Sequence, residues 1–231
     1  MLLPDLIPGV LLRRYKRFLA DVQLADGSII TAHCPNSGSM LGCCTPGSPV
    51  LLSRSGNPSR TYPFTWELVL INGIWAGINT ARPNGIVREA IENGAIAELQ
   101  GYDAIRAEVP YGTGSRIDLL LEDKRGRCYV EVKNVTLVEE RRALFPDSVT
   151  TRGQKHLREL MEVVRNGHRG IIFFLVQRED GDAVSPADLI DPEYGRLLRQ
   201  AYEAGVEQLA YGATVTPEQI SVSRRLPVVL Q

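Results

Sequence analysis

The amino-acid sequence predicts a mixed α+β fold of two domains, a small β-barrel or sandwich over residues 1–82 and an α/β domain over residues 83–231. Short β-type runs separated by Asp26-Gly27 and Asn72-Gly73 predict the first domain, because these dipeptides favour tight hairpins. Helical and strand patterns alternate after residue 82, which is typical of a sheet covered by helices. The pattern changes between Asn79 and Asn84, so we expect the domains to join there.

The first domain shows five short β-type runs and no segment with clear helical periodicity. The runs are Leu19 to Ala25, Ile29 to Cys34, Val50 to Leu52, Trp66 to Ile71 and Ile74 to Ile78. Several strands at this spacing favour a closed barrel or a sandwich. Aromatic and basic side chains interleave here as in a face for single-stranded nucleic acid, but buried aromatics are the commoner arrangement in a small barrel. The aromatic residues are Tyr15, Phe18, Phe64, Trp66 and Trp75.

The second domain shows three helical patterns and three strand patterns. The first helix has an apolar face from Ile86 to Ile91. The second begins at a capping box formed by Thr151 and Gln154, and the third begins at Asp191. The strands are Arg116 to Leu121, Cys128 to Val132 and Ile171 to Val176. The last of these is continuously apolar, which predicts a buried central strand.

Composition and charge exclude few classes of function. Hydrophobic residues make up 44% of the chain, charged residues make up 23%, and the formal net charge is −1. These values are ordinary for a soluble globular protein. No apolar run approaches the ~20 residues that a membrane span needs, and the first ten residues have no basic segment ahead of an apolar one. We therefore expect a cytoplasmic protein that is not bound to a membrane.

The four cysteines do not have the paired C-x-x-C spacing of a zinc site. His33, Cys34, Cys43 and Cys44 form an alternative set of four metal ligands. Adjacent cysteine side chains point in divergent directions, however, and buried inert thiols are commoner than zinc ligands. We therefore expect no zinc site here.

Basic residues are clustered, although the net charge is close to zero. The clusters are Arg13 to Arg17, Arg141-Arg142, Arg152 to Arg158 and Arg224-Arg225. Each cluster taken alone is most simply a solvated face, but together they could neutralise the phosphates of a nucleic acid. The candidate nucleic-acid-binding residues are Arg13, Arg14, Lys16, Arg17, Arg116 and Arg152.

Two acidic residues are expected to meet on the hairpin between Arg116 and Lys133. If residues 122–127 form the loop, reflection about its midpoint pairs Leu121 with Cys128, Asp118 with Glu131, and Arg116 with Lys133. Carboxylates that face each other about 5 Å apart destabilise a sheet unless a cation lies between them. Hard oxygen ligands favour Mg²⁺ or Mn²⁺ over zinc, so Asp118 and Glu131 are candidate metal ligands.

Lys133 shares a strand face with Glu131, because side chains alternate along a strand. Its ammonium group could orient a metal-bound water and neutralise a phosphate, as metal-assisted phosphodiester hydrolysis requires. The alternative is a half-exposed strand whose polar face happens to carry Glu-x-Lys. The position of the acids on one face of the hairpin, followed by a helix with basic residues, favours the metal site.

The pattern Asp118…Glu131-x-Lys133 resembles that of the PD-(D/E)XK nuclease superfamily, although Ile117 stands where a proline is usual. Over essentially its full length the chain is similar to the sugar fermentation stimulation protein family. The segments that carry this resemblance are His33 to Gly38, Tyr111-Gly112, Ser115 to Asp118, Tyr129 to Leu137 and Phe145 to Leu157.

The resemblance implies an N-terminal OB-like barrel, a C-terminal nuclease-like domain and DNA binding without sequence preference. It also implies an acidic catalytic residue on the first helix, at Glu89, and a basic or amide residue on the following helix, at Gln154 or Lys155. Each has a simpler alternative, since Glu89 can pair with Arg88, Gln154 can complete the capping box, and Lys155 can be a solvated lysine.

The family name implies a link to sugar metabolism, and to maltose use in particular. We therefore expect a DNA-binding regulatory protein with a nuclease-like metal site, or alternatively an active Mg²⁺- or Mn²⁺-dependent deoxyribonuclease. DNA is the expected partner, and no small-molecule cofactor is expected. The sequence leaves the oligomeric state open.

Overall fold

The computed structural model describes residues 1–231, and the first six strands form one sheet that closes into a barrel of five strands. The strands are β1 (Leu6–Tyr15), β2 (Leu19–Leu24), β3 (Ile29–His33), β4 (Pro49–Arg54), β5 (Phe64–Ile71) and β6 (Ile74–Gly77). They are ordered β3-β2-β1-β4-β5-β6, and a parallel pairing of His33 with Thr65 joins β3 to β5. Five strands therefore close the barrel, and β6 extends β5.

Turn chemistry explains why this part of the chain forms hairpins. Asn72 and Gly73 both have positive φ, at 50° and 80°, as the predicted tight hairpin between β5 and β6 requires. Strand β1 was not among the predicted runs, because Pro8 and Gly9 interrupt its β-type pattern. Trp66 is fully buried in the barrel core, whereas Phe18 is exposed. Core packing is therefore the role of Trp66.

The cysteines of the first domain lie in or beside the barrel core. Cys34 and Cys43 are buried, and burial raises the pKa of both thiols. Cys34 Sγ lies 3.4 Å from Met40 Sδ, and Cys43 Sγ donates to the carbonyl oxygen of Thr136 at 3.5 Å. These thiols serve as small core side chains.

A six-stranded sheet forms the centre of the second domain, in the order β15-β14-β12-β9-β8-β7. Its strands are β7 (Ala104–Tyr111), β8 (Ser115–Asp123), β9 (Gly126–Val135), β12 (Arg169–Val176), β14 (Glu207–Val215) and β15 (Ile220–Leu226). A smaller sheet consists of β10 (Leu137–Glu139), β11 (Arg142–Phe145) and β13 (Ala183–Pro186). Strand β12 is almost entirely buried, as its continuously apolar sequence predicts.

Three α-helices cover the main sheet, and a single 3-10 turn spans Ala97–Leu99. They are α1 (Pro83–Glu92), α2 (Thr151–Arg165) and α3 (Pro192–Glu203). Helix α1 packs on one face, and α2 and α3 contribute to the core of the other. Asp191 caps α3 as predicted, by accepting a hydrogen bond from the Tyr194 backbone at 3.0 Å. None of these helices is long and apolar enough to cross a membrane.

The N-terminus of α2 differs from the prediction. Thr150 is the cap, and its hydroxyl accepts from the Gly153 backbone at 3.0 Å, so the capping box of Thr151 and Gln154 is wrong. Thr150 and Thr151 are both suitable N-cap residues, so the sequence left the start of the helix uncertain by one residue. The predicted fold class is confirmed, since a closed barrel precedes an α/β domain.

Candidate metal centre in the cleft between the domains

The β8–β9 hairpin brings the candidate metal ligands to the floor of a cleft. Leu121 pairs with Cys128 as predicted, but the strands continue to Asp123 and Gly126, so the loop is shorter than residues 122–127. The pairing ends at Leu119 and Val130. The observed register is the predicted one, but the hydrogen-bonded pairing does not extend to Asp118 and Glu131 or to Arg116 and Lys133.

The Asp118 carboxylate takes the place of the next hydrogen bond between the strands. Its Oδ2 accepts from the backbone nitrogen of Val132 at 2.7 Å, and its Oδ1 accepts from Asn84 Nδ2 at 2.8 Å. Burial and the nearby negative charge of Glu131 raise the pKa of Asp118 from 3.8 to about 6. A cation near this carboxylate would stabilise its ionised form.

Glu131 is 2% exposed and has one well-bonded oxygen and one without a partner. Oε1 accepts from Lys133 Nζ at 2.7 Å and contacts Nδ1 of His156. Oε2 is buried without any hydrogen-bond partner in the protein. Burial by itself would raise the pKa of Glu131, but Lys133 and His156 hold it below its usual range. The buried carboxylate therefore stays ionised with a free oxygen, which is the state that a metal ligand needs.

His156 was not predicted to be a site residue. Its Nδ1 contacts Glu131 Oε1, and its Nε2 accepts from Arg152 Nε at 3.4 Å. The sequence carried a signal, because His156 precedes Leu157 and Leu160 at helical spacing on the buried stripe of α2. A buried histidine on such a stripe needs polar partners, and the carboxylate of Glu131 is one of them.

Asn84 and Glu108 were also missed, and together they extend the acidic end of the site. Asn84 lies in the first turn of α1 and donates both to Asp118 and, at 3.4 Å, to Glu108 Oε1. Glu108 has a φ of 55° at an irregularity in β7, where its neighbours pair with Ile117 and Leu119. A positive φ is uncommon for a non-glycine residue, and strand alternation does not predict it.

The structure does not bring the three further catalytic candidates to Asp118 and Glu131. Glu89 lies on α1 but pairs with the N-terminal ammonium group of Met1 at 2.9 Å. Gln154 donates to the Asp191 carboxylate at 3.0 Å. Lys155 donates to the carbonyl oxygen of Thr113 at 2.6 Å. These contacts hold the chain terminus, the start of α3 and the β7–β8 turn.

The six candidate nucleic-acid-binding residues fall into two groups. Arg13 pairs with Asp21 at 2.8 Å, and the half-buried Arg14 donates hydrogen bonds to backbone carbonyl oxygens. Both side chains therefore already have partners within the first domain. The remaining four are exposed, and they are Lys16, Arg17, Arg116 and Arg152. Of these, Arg17 and Arg152 line the same cleft as the two carboxylates.

The cleft has a volume of about 550 Å³ and is lined by both domains. The barrel contributes Arg17, Asn36, Ser37 and Gly38. The second domain contributes the residues around Asp118 and Glu131, together with the segment from Leu144 to Thr150. Most lining residues are polar, so the cleft suits a charged, hydrated ligand.

The residues at the cleft floor fit a hard divalent cation. Asp118 and Glu131 supply carboxylate oxygens, and the orphaned Glu131 Oε2 is a buried polar atom that a cation would satisfy. No three histidine, cysteine, aspartate or glutamate side chains are arranged so that they could hold a metal ion together. Mg²⁺ fits such a sparse set, because it is usually bound through one or two carboxylates and keeps several waters.

Comparison with known protein families accounts for nearly the whole chain. The family described as SfsA N-terminal OB domain matches residues 12–78, and the one described as Sugar fermentation stimulation protein RE domain matches residues 81–219. The chain belongs to the sugar fermentation stimulation protein family. The family identification made from the sequence is therefore confirmed.

Relatives in this family match from end to end. A sugar fermentation stimulation protein homolog of Pelobacter propionicus is 71% identical, with 100% of both chains covered. One from Geobacter sulfurreducens is 69% identical, with 99% of both chains covered. The structure of Pyrococcus furiosus SfsA in complex with Ca²⁺ is similar at a TM-score of 0.91 and 30% identity, over 99% of this chain and 98% of that one.

Proposed function

We propose that this protein binds DNA without sequence preference and holds a divalent cation between Asp118 and Glu131 at the floor of the cleft. The observation that carries the proposal is the buried, ionised Glu131 with an unpartnered Oε2, next to an aspartate whose pKa is raised to about 6. Two acids arranged in this way are costly without a cation. The Ca²⁺ in the archaeal relative supports a site for hard cations in the family.

Exposed arginines supply the proposed attraction for the DNA backbone. Arg17 lies on the barrel side of the cleft, and Arg152 lies on the other side at the start of α2. A DNA backbone entering the cleft would therefore meet a cation from each domain. Their guanidinium groups can contact phosphates bidentately. Contacts to phosphate position a protein on DNA but carry no sequence information, so this arrangement supports binding without sequence preference.

Cleavage of DNA is the second candidate function, and Lys133 favours it. Its Nζ lies 2.7 Å from Glu131 Oε1, and its side chain is 11% exposed beside the cleft. A cation bound to the two carboxylates would lower the pKa of a bound water and offset charge on a phosphate. Lys133 would then stabilise charge that develops on the phosphate, while His156 fixes the orientation of Glu131.

We propose that the link to sugar metabolism, and to maltose use in particular, operates through DNA binding. The family name carries the link to sugar fermentation, and maltose is our proposal for the sugar. A protein that occupies DNA without reading its sequence would influence transcription through local occupancy or through processing of particular DNA structures. The affected genes would be identified by mapping where the protein binds DNA in the cell.

Salt dependence tests DNA binding directly. The affinity should fall linearly on a logarithmic plot against salt concentration, with a slope of about 0.9 per phosphate neutralised on duplex DNA. Two unrelated sequences should bind within about tenfold of one another. A preference of several hundredfold for one operator would show a sequence-specific repressor instead.

Metal-dependent cleavage is tested by incubating single-stranded, duplex and branched DNA with the protein, with and without Mn²⁺. We expect Lys133→Ala to abolish cleavage and to leave DNA affinity within about twofold, because one lysine is a small part of a footprint over many phosphates. Glu131→Gln should be as severe. Lys124→Ala, at an exposed position in the turn between β8 and β9, is the control and should cleave normally. Cleavage by Lys133→Ala at the wild-type rate would place the activity elsewhere.

A further inference from the structure

The turn between β1 and β2 presents an aromatic ring and two cations to solvent beside the cleft. Lys16 and Arg17 both have positive φ, at 50° and 66°, so the chain reverses sharply there. Phe18 follows them and is 51% exposed, whereas Trp66 is fully buried and Phe64 and Trp75 pack against the hydrophobic cores. An exposed ring at a tight turn contributes little to the core, and its face is accessible to a ligand.

Hydrogen bonds fix this turn against the wall of the cleft. The guanidinium group of Arg14 donates to the carbonyl oxygens of Arg17 at 2.6 Å, Asn36 at 2.8 Å and Gly38 at 2.8 Å. The carbonyl oxygen of Phe18 accepts from the Cys34 backbone at 2.8 Å. Asn36 and Gly38 themselves line the cleft. The ring is thus presented by a rigid element that is tied to the site.

The other side of the cleft carries a similar combination of apolar and basic groups. Val149 lines the cleft and is 67% exposed, and Arg152 lies one helical turn further along the chain. Cations for phosphates and apolar surfaces for bases therefore occur on both sides of the cleft. This combination matches a DNA strand, whose backbone is anionic and whose bases have apolar faces.

We propose that the turn Lys16–Phe18 is a stacking platform for an unpaired base, and that the cleft takes single-stranded DNA. This inference rests on the proposed DNA-binding function and names its substrate class. In a blunt duplex the base faces are already stacked, so Phe18 has nothing to cover. In a single strand each base offers a free face, and stacking on an aromatic side chain tolerates any sequence. Arg17 and Lys16 hold the adjoining phosphates.

The test compares two fluorescein-labelled DNAs of the same sequence, one single-stranded and one a blunt duplex, by fluorescence anisotropy at constant salt. Phe18→Ala should weaken single-strand binding about tenfold and change duplex binding by less than about twofold. Phe18→Leu keeps an apolar side chain without a ring face, and it should lose nearly as much. Tyr202→Ala removes a ring that is 62% exposed near the end of α3, and it is the matched control that should bind like wild type.

Each other outcome overturns the inference. If Phe18→Ala weakens both DNAs equally, or neither, the turn does not recognise unpaired bases, while the proposed DNA binding still stands. If wild type binds neither DNA, the proposed function fails together with the inference. If Phe18→Ala instead changes the oligomeric state in sedimentation and leaves DNA binding unchanged, the ring belongs to a contact between copies of this chain.

Discussion

The carboxylates of Asp118 and Glu131 make the folded protein sensitive to pH. The pKa of Asp118 is raised from 3.8 to about 6, so the unfolded chain releases this proton at a lower pH than the folded protein does. Because the pKa of Asp118 is higher in the folded protein than in the unfolded chain, the free energy of unfolding decreases as the pH rises from about 4 to about 6. Above pH 6 both carboxylates are ionised, and a bound cation offsets the resulting repulsion.

Replacement of Asp118 separates a metal ligand from a structural acid. In metal-free buffer at pH 8, Asp118→Asn should change the free energy of unfolding by no more than about 2 kcal/mol, because it removes one of two close negative charges but keeps an acceptor oxygen for only one of the two hydrogen bonds. Below pH 4 the difference should vanish. Thermal unfolding at several pH values measures this, with Asp5→Asn, at an exposed position, as the control.

Added Mn²⁺ completes the same experiment. Wild type should gain about 2.7 kcal/mol at a hundredfold excess of Mn²⁺ over its dissociation constant, because binding to the folded state alone stabilises it. Asp118→Asn should gain little or nothing. A variant that is strongly destabilised without metal would show that Asp118 is needed for the fold, and the metal site would then lose its main support.

Glu108 is a second residue-scale test, because it reaches the site from a strained position. It shares the amide of Asn84 with Asp118, so its charge lies near the proposed cation. Glu108→Gln should weaken Mn²⁺ binding about three- to tenfold, as the loss of one nearby charge implies. Titration calorimetry measures the change, and Glu92→Gln, on the exposed face of α1, is the control. An unchanged affinity would leave Glu108 as a solvated side chain.

The site residues divide into those that local patterns predict and those that only the fold brings together. Asp118, Glu131 and Lys133 follow from strand alternation across one short hairpin. His156, Asn84 and Glu108 come from α2, α1 and β7, and their approach depends on how those elements pack. Glu89 was chosen for its place on the first helix, but the helix turns that side chain towards Met1.

At the scale of single elements, the register of β8 and β9 was predictable and its interruption was not. Leu121 pairs with Cys128 because the turn fixes the register. The pairing stops where Asp118 bonds to the Val132 backbone, and alternation cannot reveal a side chain that replaces a backbone partner. Both carboxylates line the cleft beyond that local break.

Asp191 joins two helices and is the strongest element-scale test. Its carboxylate accepts from the Tyr194 backbone at 3.0 Å, from the Thr150 backbone at 2.9 Å and from Gln154 at 3.0 Å. Asp191→Ala should lower the free energy of unfolding by about 2–4 kcal/mol, because it removes a cap and leaves buried donors without partners. Chemical denaturation measures the loss.

The neighbouring Asp188 supplies the control for this prediction. It pairs with Arg199 at 2.6 Å, and its side chain is 45% exposed. Asp188→Ala should cost no more than about 1 kcal/mol, as is usual for surface pairs. Equal losses for the two variants would mean that Asp191 does not join α2 to α3. Asp191→Ala should also lower cleft function, since α2 carries His156 and Arg152.

At the scale of the whole molecule, the two domains share a hydrophobic core. Leu51 of β4 and Leu68 of β5 pack with residues of α1 and of the main sheet, in the same cluster as Phe173 and Tyr211. The Gly77 backbone also donates to the carbonyl oxygen of Gln177 at 3.0 Å. The cleft is therefore set between domains in firm contact. Hydrophobic periodicity showed each domain but not this contact, because it does not identify the partner of an apolar face.

The shared core predicts that the protein unfolds in one cooperative transition. Leu68→Ala and Leu52→Ala each remove a fully buried side chain, the first from the shared cluster and the second from the barrel core alone. Each should cost about 2–5 kcal/mol. Because unfolding is cooperative, each should shift a single calorimetric peak to lower temperature, by roughly 2–4 °C per kcal/mol.

The comparison of Leu52→Ala with Leu68→Ala decides whether the domains are coupled. If the barrel unfolded on its own, Leu52→Ala would split the peak or lower only one of two transitions. One shifted peak with equal calorimetric and van't Hoff enthalpies would show that damage to the barrel core is felt by the whole chain. The barrel that carries Phe18 and the domain that carries the carboxylates would then unfold together.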